Sequence, residues 1–165
     1  SINKAQFTKQ AIDKLWLFPN ELFKKARHAR PEFLGSLYYN NSILYDLNQS
    51  QESPSTVASA LEEQYISIVL IQSWEDYLTL RQFDHTGDTV WVHNFLQWAQ
   101  SPYLKKVYDK MKYNFAQSTI DFGDLLFEYA AHIPVPSNNP AVYRKMVEKL
   151  LKDQRLQEIF KETGH

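Results

Sequence analysis

Two sets of side chains stand at spacings that could do chemistry. Arg81 and His85 are separated by three residues in Arg81-Gln82-Phe83-Asp84-His85. An imidazole that titrates near neutrality can act as general acid or base, and a neighbouring guanidinium can stabilise a phosphorane-like charge. Asp121, Asp124, Glu128 and His132 fall within an arc of about 80° on one helix face. Carboxylates and an imidazole on one face could seed a metal site. Di-iron bundles, however, need Glu-x-x-His motifs on two helices, and this chain has that spacing only once, at Glu162-Thr163-Gly164-His165. Each set also has an ordinary reading. Arg81 would pack its stem on Trp74, Tyr77 and Leu78 with its head in water. The acidic stripe would be the wet side of a helix whose dry side is Phe122, Leu126, Tyr129 and Ile133, with His132 complementing the helix dipole.

Two further clusters suggest surfaces. On a helix, Lys24, Lys25, Arg27 and His28 cover an arc of about 160°, with Arg30 outside it. Lys24, Lys25, Arg27 and Arg30 could meet an anionic lipid surface at about 1 kcal/mol each, or simply complement a helix C-terminus in solvent. Tyr38, Tyr39, Asn40 and Asn41 are poor helix formers, and an inward asparagine would need a polar network or a ligand. Tyrosines also make good anchors for a partner, so these four residues are a candidate partner or ligand surface.

Composition removes many activities. With no cysteine among 165 residues, disulfides, thiolate metal sites and cysteine nucleophiles are excluded. Eighteen Lys and Arg against nineteen Asp and Glu give a net charge of −1, without the basic excess of a nucleic-acid binder. Gly-x-Ser-x-Gly, His-Glu-x-x-His and the glycine-rich phosphate loops are missing, and Asp121-Phe122-Gly123 lacks the other kinase motifs. No apolar run approaches the roughly 20 residues needed to span a bilayer.

The elements that must position these residues are helical throughout. Pro19, Pro31, Pro54, Pro102 and Pro140 each precede a helix-period run, and Ser53, Ser101 and Asn139 precede three of those prolines. We read helices at 3–17, 19–29, 31–47 and 54–82. Asp88 caps a helix to Ala99, and Ser101-Pro102 opens one to Phe115 that continues, bent, to His132. A loop at 134–139 leads to a helical segment at 140–162, broken near Asp153. The expected fold is one all-α domain over 1–165, an irregular or orthogonal bundle of six to eight helices around the long 54–82 helix. That helix is apolar around most of its circumference from Tyr65 to Ile71, then narrows to the stripe Leu70, Trp74, Tyr77 and Leu78. Phe33, Leu37, Val90, Phe95, Leu104, Leu126, Val147 and Phe160 are expected to pack around it, and Gly123 to mark a close helix crossing or a bend.

Two resemblances follow. Arg30-Pro31-Glu32-Phe33-Leu34 with Leu37-Tyr38-Tyr39-Asn40-Asn41, and Gln100-Ser101-Pro102-Tyr103-Leu104 with Tyr108 and Tyr113-Asn114-Phe115, resemble a loosely defined family of uncharacterised bacterial helical domains. This chain has Phe33 where that pattern has Leu, and Lys105 where it has Arg. The resemblance implies a transmembrane helix ahead of Ser1 and no activity. Arg81 and His85 are similar to the Arg-x4–6-His signature of HEPN-type ribonucleases, one residue short. The expected function is a non-enzymatic interaction or sensory module, in the cytoplasm or at the cytoplasmic face of a membrane. Its expected partners are a protein, an anionic membrane surface and a second copy of itself, with no nucleic acid and no cofactor. A HEPN-like ribonuclease and a small-molecule or metal-binding domain, using 38–41 or 121–132, are the alternatives.

Overall fold

The computed structural model describes residues 31–37, 56–82, 87–134 and 139–164, together with Gln6, Glu21 and Lys24. Among these residues seven α-helices can be delimited, with no strand: α1 (Pro31–Ser36), α2 (Val57–Leu80), α3 (Asp88–Trp98), α4 (Pro102–Met111), α5 (Gln117–Ala130), α6 (Pro140–Lys152) and α7 (Gln154–Thr163). A 3-10 turn, Lys112–Asn114, follows α4. The protein is an all-α bundle, as the proline and cap spacing predicts.

Local chemistry sets the helix starts. Ser101 Oγ accepts from the Leu104 amide and Asn139 Oδ1 from the Ala141 amide, with Pro102 and Pro140 in the first turn, where a missing N–H costs nothing. Thr56 caps α2 through the Ser59 amide. Asp88, expected as a cap, is instead the first residue of α3, and Gly87 takes the cap position. A side chain at Gly87 would meet the Trp91 indole at 2.6 Å. The expected bend before His132 lies at Phe115 and Ala116, both extended, so α4 and α5 are separate helices. The expected break in the last helix falls on Asp153, a single extended residue that both ends α6 and caps α7.

α2 runs against α4 and α5, α3 lies on α5 and α6, and α7 closes over α5, α6 and the end of α2. α1 docks on α4 through two buried serines: Ser36 Oγ donates to the Phe33 carbonyl, so Ser101 Oγ donates to Ser36 at 2.5 Å. The core centres on Trp74, whose ring meets Phe95, Tyr108 and Phe127 at 6.4, 5.9 and 5.8 Å. Beside it Tyr77 stacks on Phe122 at 5.7 Å and meets Phe95 at 5.4 Å. Such pairs add about 0.5–1.5 kcal/mol each beyond their buried area.

Two expectations of burial fail. Val90 is 56% exposed, because α3 turns Trp91, Val92 and Phe95 inward and Val90 lies about 200° round from Val92. Within the Tyr65–Ile71 stretch, Tyr65 is 52% exposed, on an edge shared with Val57 and Leu61, while Ile66, Leu70 and Ile71 are buried. Of the expected helices at 3–17, 19–29 and 31–47, the described residues cover only Gln6, Glu21, Lys24 and α1 with Leu37.

Gly123 is the close crossing the sequence suggests. A β-carbon there would stand 2.6 Å from the Tyr108 hydroxyl and 2.7 Å from ring carbon Cε1. Tyr108 is 1% exposed and its hydroxyl is held by the Ile120 carbonyl and Asp124, so it cannot give way. Gly123→Ala should therefore destabilise by about 1–3 kcal/mol despite the better helix propensity of alanine. Urea unfolding of the variant measures this. Adding Tyr108→Phe should not restore stability, since the ring carbons still clash.

Candidate functional site

The polar face of α5 and one edge of α7 line a groove of about 400 Å³. α5 contributes Asp121, Asp124, Leu125 and Glu128, and α7 contributes Arg155, Glu158, Ile159 and Glu162. Helical spacing explains the arrangement. On each helix, residues three, four and seven apart share a face, which puts carboxylates on the rim and one apolar residue beneath them. Leu125 and Ile159, both 5% exposed, form the floor. The rim holds five carboxylates and one guanidinium.

Asp153 fixes one end of this groove. Its Oδ1 accepts the Arg155 amide at 2.8 Å, the cap of α7, and its Oδ2 accepts the Tyr129 hydroxyl at 2.5 Å. The Arg155 guanidinium then bridges the helices, donating to Asp153 Oδ2 at 2.9 Å and to both Glu128 oxygens at 3.2 and 2.6 Å. Hydrogen bonds from Arg155, joined at Asp153 by the one from Tyr129, hold both carboxyls below the usual carboxylate range. Three of the other four rim acids are also engaged: Asp124 accepts from Tyr108, Asp121 from Gln117 and Glu158 from Gln154.

Among the described residues no group of three or more His, Asp or Glu side chains converges to hold an ion. Asp121 and Glu128 are seven residues apart, so about 10 Å of helix rise separates them. His132 is exposed beyond the groove.

Arg81 is fixed as a structural strut. It donates from Nε and Nη2 to Asp88 at 2.9 and 2.7 Å, and its guanidinium lies 3.4 Å from the centre of the Phe160 ring. The Tyr77 hydroxyl donates to the same Asp88 at 2.5 Å. The Arg81 head is thus paired rather than in water, its side chain 16% exposed. His85 lies outside the described residues, as do Tyr38, Tyr39, Asn40, Asn41, Lys25, Arg27 and Arg30. Lys24 is described: it pairs with Glu21 at 3.2 Å on an open surface, a contact worth little in stability.

Elsewhere, His93 stacks on Tyr143 at 5.1 Å, and burial pushes its imidazole below its ordinary value. A second hollow of about 290 Å³, between the start of α4 and the end of α5, is lined mainly by small and apolar residues. Among the described residues no helix is long and apolar enough to cross a membrane. Comparison with protein-family models, curated proteins and solved structures finds no match.

Sequence reasoning found the α5 half of the groove and missed the α7 half. The signal was there in part, since Leu156, Ile159 and Phe160 mark the inward side of α7 and leave Arg155, Glu158 and Glu162 beside it.

Two outcomes follow from these contacts. Asp88→Ala strips the acceptor from both Arg81 and Tyr77 and should cost about 3 kcal/mol in urea unfolding. Glu128 and Asp153 have depressed folded-state pKa values, so the stability they contribute is complete above their unfolded values. It is lost as pH falls through the folded ones. Unfolding free energy should therefore decline below about pH 5, and Arg155→Gln should flatten that decline in acid titrations followed by circular dichroism.

Proposed function

We propose that this chain is a helical interaction module whose groove between α5 and α7 receives a basic, amphipathic segment of a protein partner. The observation that carries this reading is the pairing of an apolar floor, Leu125 and Ile159, with five rim carboxylates against one arginine. An apolar floor rewards the buried face of a docked helix, and rim charge selects its sign and sets its register. A groove of about 400 Å³ falls within the range of sites that engulf several side chains. The alternatives have less support. A ribonuclease would need the Arg81 guanidinium that Asp88 and Phe160 occupy, and a metal domain would need a convergence of ligands that the described residues do not provide.

The module would work in the cytoplasm or at the cytoplasmic face of a membrane. There Lys24, 70% exposed, and its basic sequence neighbours would add an electrostatic contact with anionic lipid.

The test uses a short fluorescent peptide with a lysine face and a leucine face, and its glutamate–leucine counterpart. The lysine probe should bind in low salt, shift the methyl resonances of Leu125 and Ile159, and weaken as salt rises. The glutamate probe should not bind. Glu158→Lys with Glu162→Lys should weaken the lysine probe about tenfold, equivalent to about 1.4 kcal/mol. Equal binding by that double variant would sink the proposal. Spermine binding with the same sensitivity to these variants, but no contribution from the leucine face, would reassign the groove to small polycations.

A further inference from the structure

The groove already holds a cation, and it belongs to the chain itself. Arg155 reaches from the first turn of α7 to Glu128 on α5 as a two-pronged pair, while Nε and Nη2 also meet Asp153 at 3.2 and 2.9 Å. Its side chain remains 57% exposed, with the guanidinium held on these two carboxylates. A planar fork meeting both oxygens of Glu128 is the geometry that guanidinium makes and ammonium cannot.

We infer that Arg155 is an internal occupant of the partner site: an arginine from the docking segment takes its place on Glu128, and Arg155 swings into solvent. This rests on the reading of the groove as a site for a basic segment and specifies its key contact. The fold permits the exchange at little cost. The bond that caps α7 is made by the Arg155 backbone amide to Asp153 Oδ1, and it survives any movement of the side chain. Asp153, 13% exposed, thus keeps its bonds from Tyr129 and the Arg155 amide. The pair with Glu128 is exposed on both sides, 57% and 49%, and such a pair is weak. The internal arginine would therefore lower the affinity of an arriving one without closing the site.

The experiment compares wild type, Arg155→Gln and Arg155→Lys for binding of two probes that differ only in arginine or lysine on the polar face. Circular dichroism confirms that each variant is folded, as the intact backbone cap leads us to expect. If Arg155 competes for the seat, Arg155→Gln should bind the arginine probe about two- to fivefold more tightly, the worth of one exposed ion pair. Arg155→Lys should fall between the two, because it keeps the charge and loses the fork. The gain should be smaller for the lysine probe.

Arg155→Lys binding as wild type would reduce Arg155 to a simple like charge and overturn the inference. So would an Arg155→Gln variant that binds no more tightly than wild type. In both cases wild-type binding persists and the reading of the groove stands. Failure of that reading looks different: neither probe binds wild type or variant.

Discussion

A tyrosine buried in an aromatic core brings a hydroxyl that must find an acceptor, and this requirement organises the bundle. Leaving a buried hydroxyl unpaired costs about 1–3 kcal/mol, comparable with what the ring gains from one aromatic neighbour. Three core tyrosines and a half-buried fourth meet the requirement in the same way: the ring lies among apolar side chains and the hydroxyl ends on a polar group of another element. Tyr77 reaches Asp88 on α3, Tyr108 reaches Asp124 and the Ile120 carbonyl on α5, Tyr129 reaches Asp153, and Tyr143 on α6 reaches Gln100. Each bond ties the interior to a specific point on the rim. Burial, with hydrogen bonding to an aspartate for Tyr77 and Tyr108, pushes the hydroxyls of Tyr77, Tyr108 and Tyr143 well above their ordinary pKa, so they remain donors at any physiological pH.

The groove inherits its order from that constraint. Asp124 and Asp153 are held by hydroxyls whose rings are packed against, or within, the core, so their positions are set by packing rather than by the surface. Gly123 belongs to the same device, since only a residue without a side chain lets the Tyr108 ring pass close enough to α5 to reach Asp124. A charged rim built on free side chains would spend entropy on ordering when a ligand arrives. One that is partly fixed beforehand loses less.

Much of the architecture could be read from local chemistry. Pro102 and Pro140 after Ser101 and Asn139 announce helix starts because the physics of an orphan N–H is local. Asp153 could be read as a break for a similar reason: it caps one helix as it ends another. What failed was tertiary. Val90 has the right residue type for a core, but one residue of helical rotation puts it outside. The exposure of Tyr65 was hidden by a composition, from Tyr65 to Ile71, that suits burial on several sides. Asp88 shows the same limit, since as a cap candidate it was a local residue, and only folding brings Arg81 and Tyr77 to its carboxylate. Half of the groove was visible as a stripe on α5. Its other half lies 27 residues on, from Glu128 to Arg155, and no periodicity connects the two.

The near-neutral charge of the chain conceals this site for a related reason. Eighteen basic and nineteen acidic residues cancel in a sum over the sequence, but a field is felt locally, over roughly the 8 Å Debye length of physiological salt. Within that reach the groove offers five carboxylates and one arginine. Lys112 and Lys161 soften the rim at Asp124 and Glu158, at 3.9 and 3.5 Å, and leave the sign unchanged. A phosphate backbone approaching this face would meet repulsion, while a cation would be drawn along the floor toward Glu128, where the only guanidinium of the rim already sits. The same field that repels phosphate at this face makes the Arg155 seat the contact on which the proposed selectivity for a basic partner would turn.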